Sequence, residues 1–147
     1  MAETVPKRGW VDVTEGEFAG WRGWPADPWD MHSGPFFMRQ DDDGSIRCAF
    51  RVEGKHINSQ GSLHGGAMMT FADFVAFAIS APSEKEGTVT VSLNSQFLRA
   101  AYIGDLIEGR GEVLKSGRRL VFTAGTLSAS GQPIFNFSAT LMRTTPG

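Results

Sequence analysis

A single cysteine, Cys48, leaves the chain without a partner for an intrachain disulfide, so the fold is not stapled and a reducing compartment fits. Charge is nearly balanced, with 14 basic and 16 acidic residues and no basic block. That balance lacks the electrostatic footprint of nucleic-acid or anionic-membrane binding. No run approaches the ~20 apolar residues of a membrane span. Residues 1–13 carry charges and no continuous apolar stretch, so no secretory signal is read there and a cytoplasmic location is expected. The three histidines, His32, His56 and His64, are scattered and form no metal-ligand set. At 147 residues the chain has the length of one domain, long enough to bury roughly 70% of its unfolded surface.

Against these absences stands one apolar segment, residues 65–79, which opens with Gly65-Gly66 and holds a single carboxylate, Asp73. Its composition predicts a helix enclosed by protein on all sides. Burying an ionised Asp73 without a partner would cost several kcal/mol, which makes it a candidate site residue. A competing reading gives it a local bond to Thr70 or a loop cap.

Strands are predicted around this helix. Ile46, Cys48, Phe50 and Val52 alternate with Arg47, Ala49, Arg51 and Glu53, the period of a strand with one wet face, and Cys48 reads as core. Residues 54–63 read as loop. Val89, Val91, Leu93 and Phe97 alternate with Thr88, Thr90, Ser92, Asn94 and Gln96 in a long strand. Residues 105–114, 119–128 and 133–143 follow as an antiparallel meander, joined at Lys115-Ser116-Gly117-Arg118 and Ala129-Ser130-Gly131-Gln132. The sum is an α+β domain over residues 45–147, a curved antiparallel sheet wrapped around a central buried helix.

Residues 1–44 form a Trp/Pro-rich N-terminal segment, expected to belong to the same domain. All four tryptophans lie there. Residues 11–21 predict a short helix with Thr14 and Glu17 as a capping box, followed by a loop punctuated by Pro25, Pro28 and Pro35.

The helix entry adds chemistry. Gly61-Ser62-Leu63-His64-Gly65-Gly66 brings bare backbone to a first turn whose unpaired N–H groups and positive dipole end can polarise a carbonyl oxygen. Structural glycines at a tight loop are the alternative. Gly65 and Asp73 are eight residues apart, about 12 Å along a helix axis, and cannot flank one reacting atom. If both serve one reaction, a second copy of the chain must run its helix antiparallel, giving a homodimer with two shared sites.

Asn58-Ser59-Gln60-Gly61-Ser62-Leu63-His64-Gly65-Gly66 followed by Ala72-Asp73 resembles the signature of hotdog-fold acyl-CoA thioesterases of the phenylacetate-degradation (PaaI-like) type. The resemblance continues through residues 88–97, Gly104-Asp105 and Gly117-Arg118. It implies a hotdog fold, a homodimer or dimer of dimers, and hydrolysis of an acyl-CoA with no cofactor beyond the CoA of the substrate. By position it implies that Gly65 polarises the thioester carbonyl with Asn58 and His64 beside it. The partner chain's Asp73 would act on water or attack the thioester itself, and Thr90 would help hold the water. Asn58 could instead close an Asx-turn, and Thr90 could be an ordinary strand threonine. Gly66, Met68, Met69 and Phe74 are expected near the acyl group. Arg99 and Arg118, with Lys115 and Arg119, are candidates for the CoA phosphates. Two other classes compete: an acyl-CoA binding or sensing domain without turnover, and a hydratase, for which a paired Asp and His at helix-turn spacing is missing.

Overall fold

A computed structural model of the chain describes residues 9–80 and 87–144. The strands are β1 (Val11–Asp12), β2 (Arg22–Gly23), β3 (Phe37–Gln40), β4 (Ile46–Arg51), β5 (Gly87–Phe97), β6 (Leu106–Ser116), β7 (Leu120–Ala129) and β8 (Gln132–Thr144). Two α-helices interrupt them, α1 (Pro28–Ser33) and α2 (Gly65–Ser80). The strands form one sheet in the order β1-β2-β3-β4-β6-β7-β8-β5, antiparallel throughout. The crossover through α2 carries the chain from β4 to the far edge of the sheet. β5 is therefore an edge strand, with β8 on one side and no neighbour among the described residues on the other.

The sheet wraps α2, which packs against β4, β5, β6, β7 and β8. Phe71, Ala72, Val75 and Ala78 of the helix are fully buried against Phe50, Ile107, Leu127, Phe135 and Leu141. Burying each large side chain contributes about 1.5–3 kcal/mol. Alternation in β4 is incomplete, because Ala49 is as buried as Cys48 and Phe50. No helix among the described residues is long and apolar enough to cross a membrane.

Two expectations are corrected. First, α2 is not enclosed on every side: Gly66, Met69 and Asp73, at i, i+3 and i+7, form an exposed stripe. Asp73 is exposed in the single chain, so its charge is hydrated and the burial cost does not arise. Second, residues 11–21 are not helical. Gly16 and Gly20 adopt φ of +85° and +91°, which breaks a helix, and Gly20 N–H donates to the Val13 carbonyl at 2.9 Å while Val13 N–H donates to Trp21 at 2.8 Å. The segment closes β1 onto β2, and Glu17 pairs with Arg51 of β4 instead of capping a helix.

The proline-punctuated loop contains α1. Asp27 Oδ1 accepts from Asp30 N–H at 3.0 Å as the N-cap, and Pro28 occupies the first turn, where its missing N–H loses nothing. The aromatic leader covers one flank of α2: Trp10 meets Phe74 edge-on at 5.7 Å, and Trp24 meets Phe77 at 5.0 Å. Residues 1–8 of that leader lie outside the described residues.

Candidate active site

The loop before α2 is organised by side chains. Asn58 Oδ1 accepts from Gln60 N–H at 2.9 Å and Ser62 N–H at 3.1 Å, and its Nδ2 donates to Ser62 Oγ at 3.0 Å. The Asn58 amide thus holds the turn that leads to the helix entry. His64 is the cap of α2: its Nδ1 accepts from Gly66 N–H at 2.8 Å, and its carbonyl accepts from Ala67 and Met68 at 2.9 and 3.1 Å. A neutral imidazole accepting at Nδ1 carries its proton on Nε2, so exposed His64 presents an N–H donor outward. Gly65 N–H meets no acceptor among the described residues. It points with the positive end of the helix dipole. The ring of Phe97, at the end of β5, stands against this glycine: Cε1 is 2.9 Å from the position a Cβ would occupy.

Asp73 lies two turns further along α2, where Thr90 Oγ1 of β5 donates to Asp73 Oδ1 at 2.5 Å. With its proton committed to the carboxylate, the threonine oxygen is left as an acceptor for water. The structure therefore gathers the predicted site residues into two halves. Asn58, His64 and Gly65 form one, Asp73 and Thr90 the other, and the helix rise keeps them about 12 Å apart.

The remaining predicted positions scatter around these halves. Met68 and Phe74 are packed in the core, 4% and 3% exposed. Gly66 and Met69 share the exposed stripe with Asp73. Arg99 follows β5, Arg118 sits in the β6–β7 hairpin, and both are exposed. Cys48 is fully buried and its thiol pKa is pushed up by desolvation, which leaves it chemically inert.

Two residues near these groups carry no functional signal in the sequence. Phe97 reads there only as a strand residue. Asp30 of α1 interacts with Asp73; burial first, then the charges of Asp27 and Asp73, raise its carboxyl to about 7. The Asp27-Pro28 step, an N-cap followed by proline, is the available signal for the helix that carries it. No group of three or more metal-ligating side chains exists among the described residues.

Comparison with known proteins adds to this geometry. Residues 60–134 match the family model described as the thioesterase superfamily. A Pseudomonas aeruginosa protein named "Putative esterase PA0474" is 38% identical over 96 residues, 64% of this chain and 72% of that protein. Human acyl-coenzyme A thioesterase 13 is 33% identical over 86 residues, covering 58% of this chain. The match spans 61% of the human protein, less than two thirds of its length. A solved Ralstonia eutropha structure, of a phenylacetic acid degradation-related protein, superposes with a TM-score of 0.68 at 28% identity over 79% of this chain and 90% of that one. With a sheet wrapped around α2 and more than half the chain within the family match, the protein belongs to the thioesterase superfamily and has the hotdog fold.

Proposed function

We propose that the protein hydrolyses acyl-CoA thioesters to free acid and CoA in sites shared between two copies of the chain. The carrying observation is that Asp73 and Thr90 form a hydrogen-bonded pair on an exposed stripe beside the free edge of β5, too far from the Gly65 donor to serve it. Half a site on an open edge is completed by a second copy.

The strand register supports a specific pairing. Along β5 the residues facing α2 are Thr90, Leu93, Ser95 and Phe97, opposite Leu141, Ala139, Phe137 and Phe135 of β8, and Val91 is the extra residue of a bulge. Antiparallel pairing of two β5 strands about a twofold axis at Asn94 sets Ser92 opposite the partner subunit's Gln96. The bulge then absorbs one residue and sets Thr90 opposite the partner subunit's Phe97. Because Thr90 holds Asp73 and Phe97 touches Gly65, this register brings each Asp73 to the partner subunit's Gly65. It also covers Val89 and Val91, 45% and 53% exposed in the single chain. A dimer of dimers is compatible with the same site.

In this cleft the Gly65 N–H and the dipole of α2 polarise the thioester carbonyl and stabilise the oxyanion that forms. Asn58 holds the turn that aims Gly65, and His64 caps the helix and offers its Nε2–H. The partner's Asp73 takes a proton from water held with Thr90, or attacks the carbonyl to form an anhydride that water opens. Collapse of the tetrahedral intermediate expels CoA as its thiolate. Gly66 and Met69 border the acyl group, with Met68 and Phe74 behind them, and Arg99 and Arg118 serve the CoA phosphates. The proposed chemistry asks for no metal and no cofactor beyond the CoA of the substrate, and the proposed enzyme is cytoplasmic.

Thiol release from a panel of aryl and fatty acyl-CoA thioesters tests the proposal. Turnover of at least one class is expected, with loss of roughly 10²-fold or more in kcat for Asp73→Ala. Absence of CoA release from every substrate, or full activity in Asp73→Ala, contradicts it.

A further inference from the structure

We infer that Phe97 is the positioning residue for the Gly65 donor, its ring clamping the first turn of α2 so that the Gly65 N–H faces the thioester oxygen. This inference rests on the proposed thioesterase reaction. It starts from an oddity of Gly65, whose backbone is not in the left-handed region that favours glycine. An alanine would suit that backbone. What a side chain would meet there is the Phe97 ring, with Cε1 at 2.9 Å, Cζ at 3.3 Å and Cδ1 at 3.6 Å from the place of a Cβ, so the ring must move to admit one.

The ring is itself held from behind. It meets Phe135 edge-on, centroids 5.2 Å apart at 77°, and Phe135 is fully buried. The strand end is fixed as well, since Leu98 and Arg99 N–H groups both donate to the Ile134 carbonyl, at 2.8 and 3.2 Å. The Phe97 ring thus links the sheet, through Phe135, to the helix entry. The ring offers no strong hydrogen-bonding group, so it borders Gly65 with an apolar surface. Phe97 is 55% exposed in the single chain. The separation of the two residues in sequence explains why no local motif marks the pair.

The test compares Phe97→Tyr, Phe97→Leu, Gly65→Ala and the double variant Gly65→Ala/Phe97→Leu, on whichever acyl-CoA the wild type hydrolyses best. Phe97→Tyr keeps the ring and should hold kcat within about twofold. Phe97→Leu should lower kcat about tenfold with KM little changed, because a misdirected donor loses part of the roughly 10²–10³-fold an oxyanion donor supplies. Gly65→Ala should lower kcat more than Phe97→Leu, and the double variant should recover part of that loss. A rise in KM at unchanged kcat for Phe97→Leu, equal losses for Tyr and Leu, or a fully active Gly65→Ala would each overturn the inference. Thermal unfolding of the same four variants reads the contact independently of turnover. Strongly non-additive Tm shifts are expected from the steric clash, and additive shifts would refute the contact even if no thioester were hydrolysed. Failure of the wild type on every substrate would instead count against the proposed reaction.

Discussion

Replacing Asp30 by asparagine should flatten a pH dependence that the wild-type chain carries. The folded protein holds the Asp30 proton up to about pH 7, against an ordinary value of 3.8 once the chain unfolds, because the carboxyl is partly desolvated and repelled by the charges of Asp27 and Asp73. Between these values the unfolded state releases a proton that the native state keeps, so stability falls as pH rises from about 4 to 7 and is level above. The full shift corresponds to a ceiling of about 4 kcal/mol. Asp30 is half-buried, and solvent screening reduces the usable effect to about 1–2 kcal/mol. Asparagine preserves the shape and leaves the Asp27 cap intact, since that bond is donated by the residue 30 backbone. Thermal unfolding at pH 5 and pH 8 is the assay. Relative to wild type, Asp30→Asn should gain about 3–6 °C in Tm on going from pH 5 to pH 8. The comparison cancels the other carboxylates. Parallel Tm changes in the two proteins over this window would refute the assignment of a raised, buried carboxyl at Asp30.

Other perturbations probe the remaining parts of the account. Thr90→Val removes the hydroxyl that bonds Asp73 and should lower kcat by about 10–100-fold while the Tm stays near wild type, whereas Thr90→Ser should keep most of the rate, as read by CoA release. Asn94→Cys places two thiols at the proposed twofold axis and should yield a disulfide-linked dimer on mild oxidation, seen on a non-reducing gel, while buried Cys48 stays reduced. Trp10→Ala leaves a cavity against Trp24, Phe74 and Phe77 and should lower stability by about 3–5 kcal/mol in urea unfolding.

The elements legible in the sequence are those whose signals repeat. The unbroken apolar run marks α2, and the alternation of β5 and the glycine-bearing turns of the β6–β8 meander mark the sheet. β1 and β2 have only two residues each and β3 has four, too few for any periodicity to show. Thr14 and Glu17 have capping-box spacing, but Gly16 and Gly20 turn the chain the other way, and a local pattern loses to backbone conformation. The apolar run of α2 also conceals its exposed stripe, because a run of apolar residues does not say which face stays in contact with solvent. The site residues follow from the family resemblance, and the structure adds what spacing alone leaves open. The Asn58 amide is spent on its loop, His64 caps the helix, and Asp73 is bonded to Thr90. Phe97 and Asp30 carry no motif, since each meets the site only through long-range packing.

The sharing of one site by two chains is tested most directly by mixing protomers. Asp73→Ala lacks the carboxylate, and Gly65→Pro lacks the donor; proline suits the backbone of a first helical turn, and the exposed Phe97 ring must turn aside to admit it. Each variant, confirmed as a folded oligomer by size-exclusion chromatography, should be nearly inactive alone. After unfolding and refolding together in equal amounts, half of the dimers combine the two variants and each carries one intact site, so CoA release should return to about a quarter of the wild-type rate. Activity that stays at the level of the separate variants, with mixed dimers shown to have formed, would contradict the shared site.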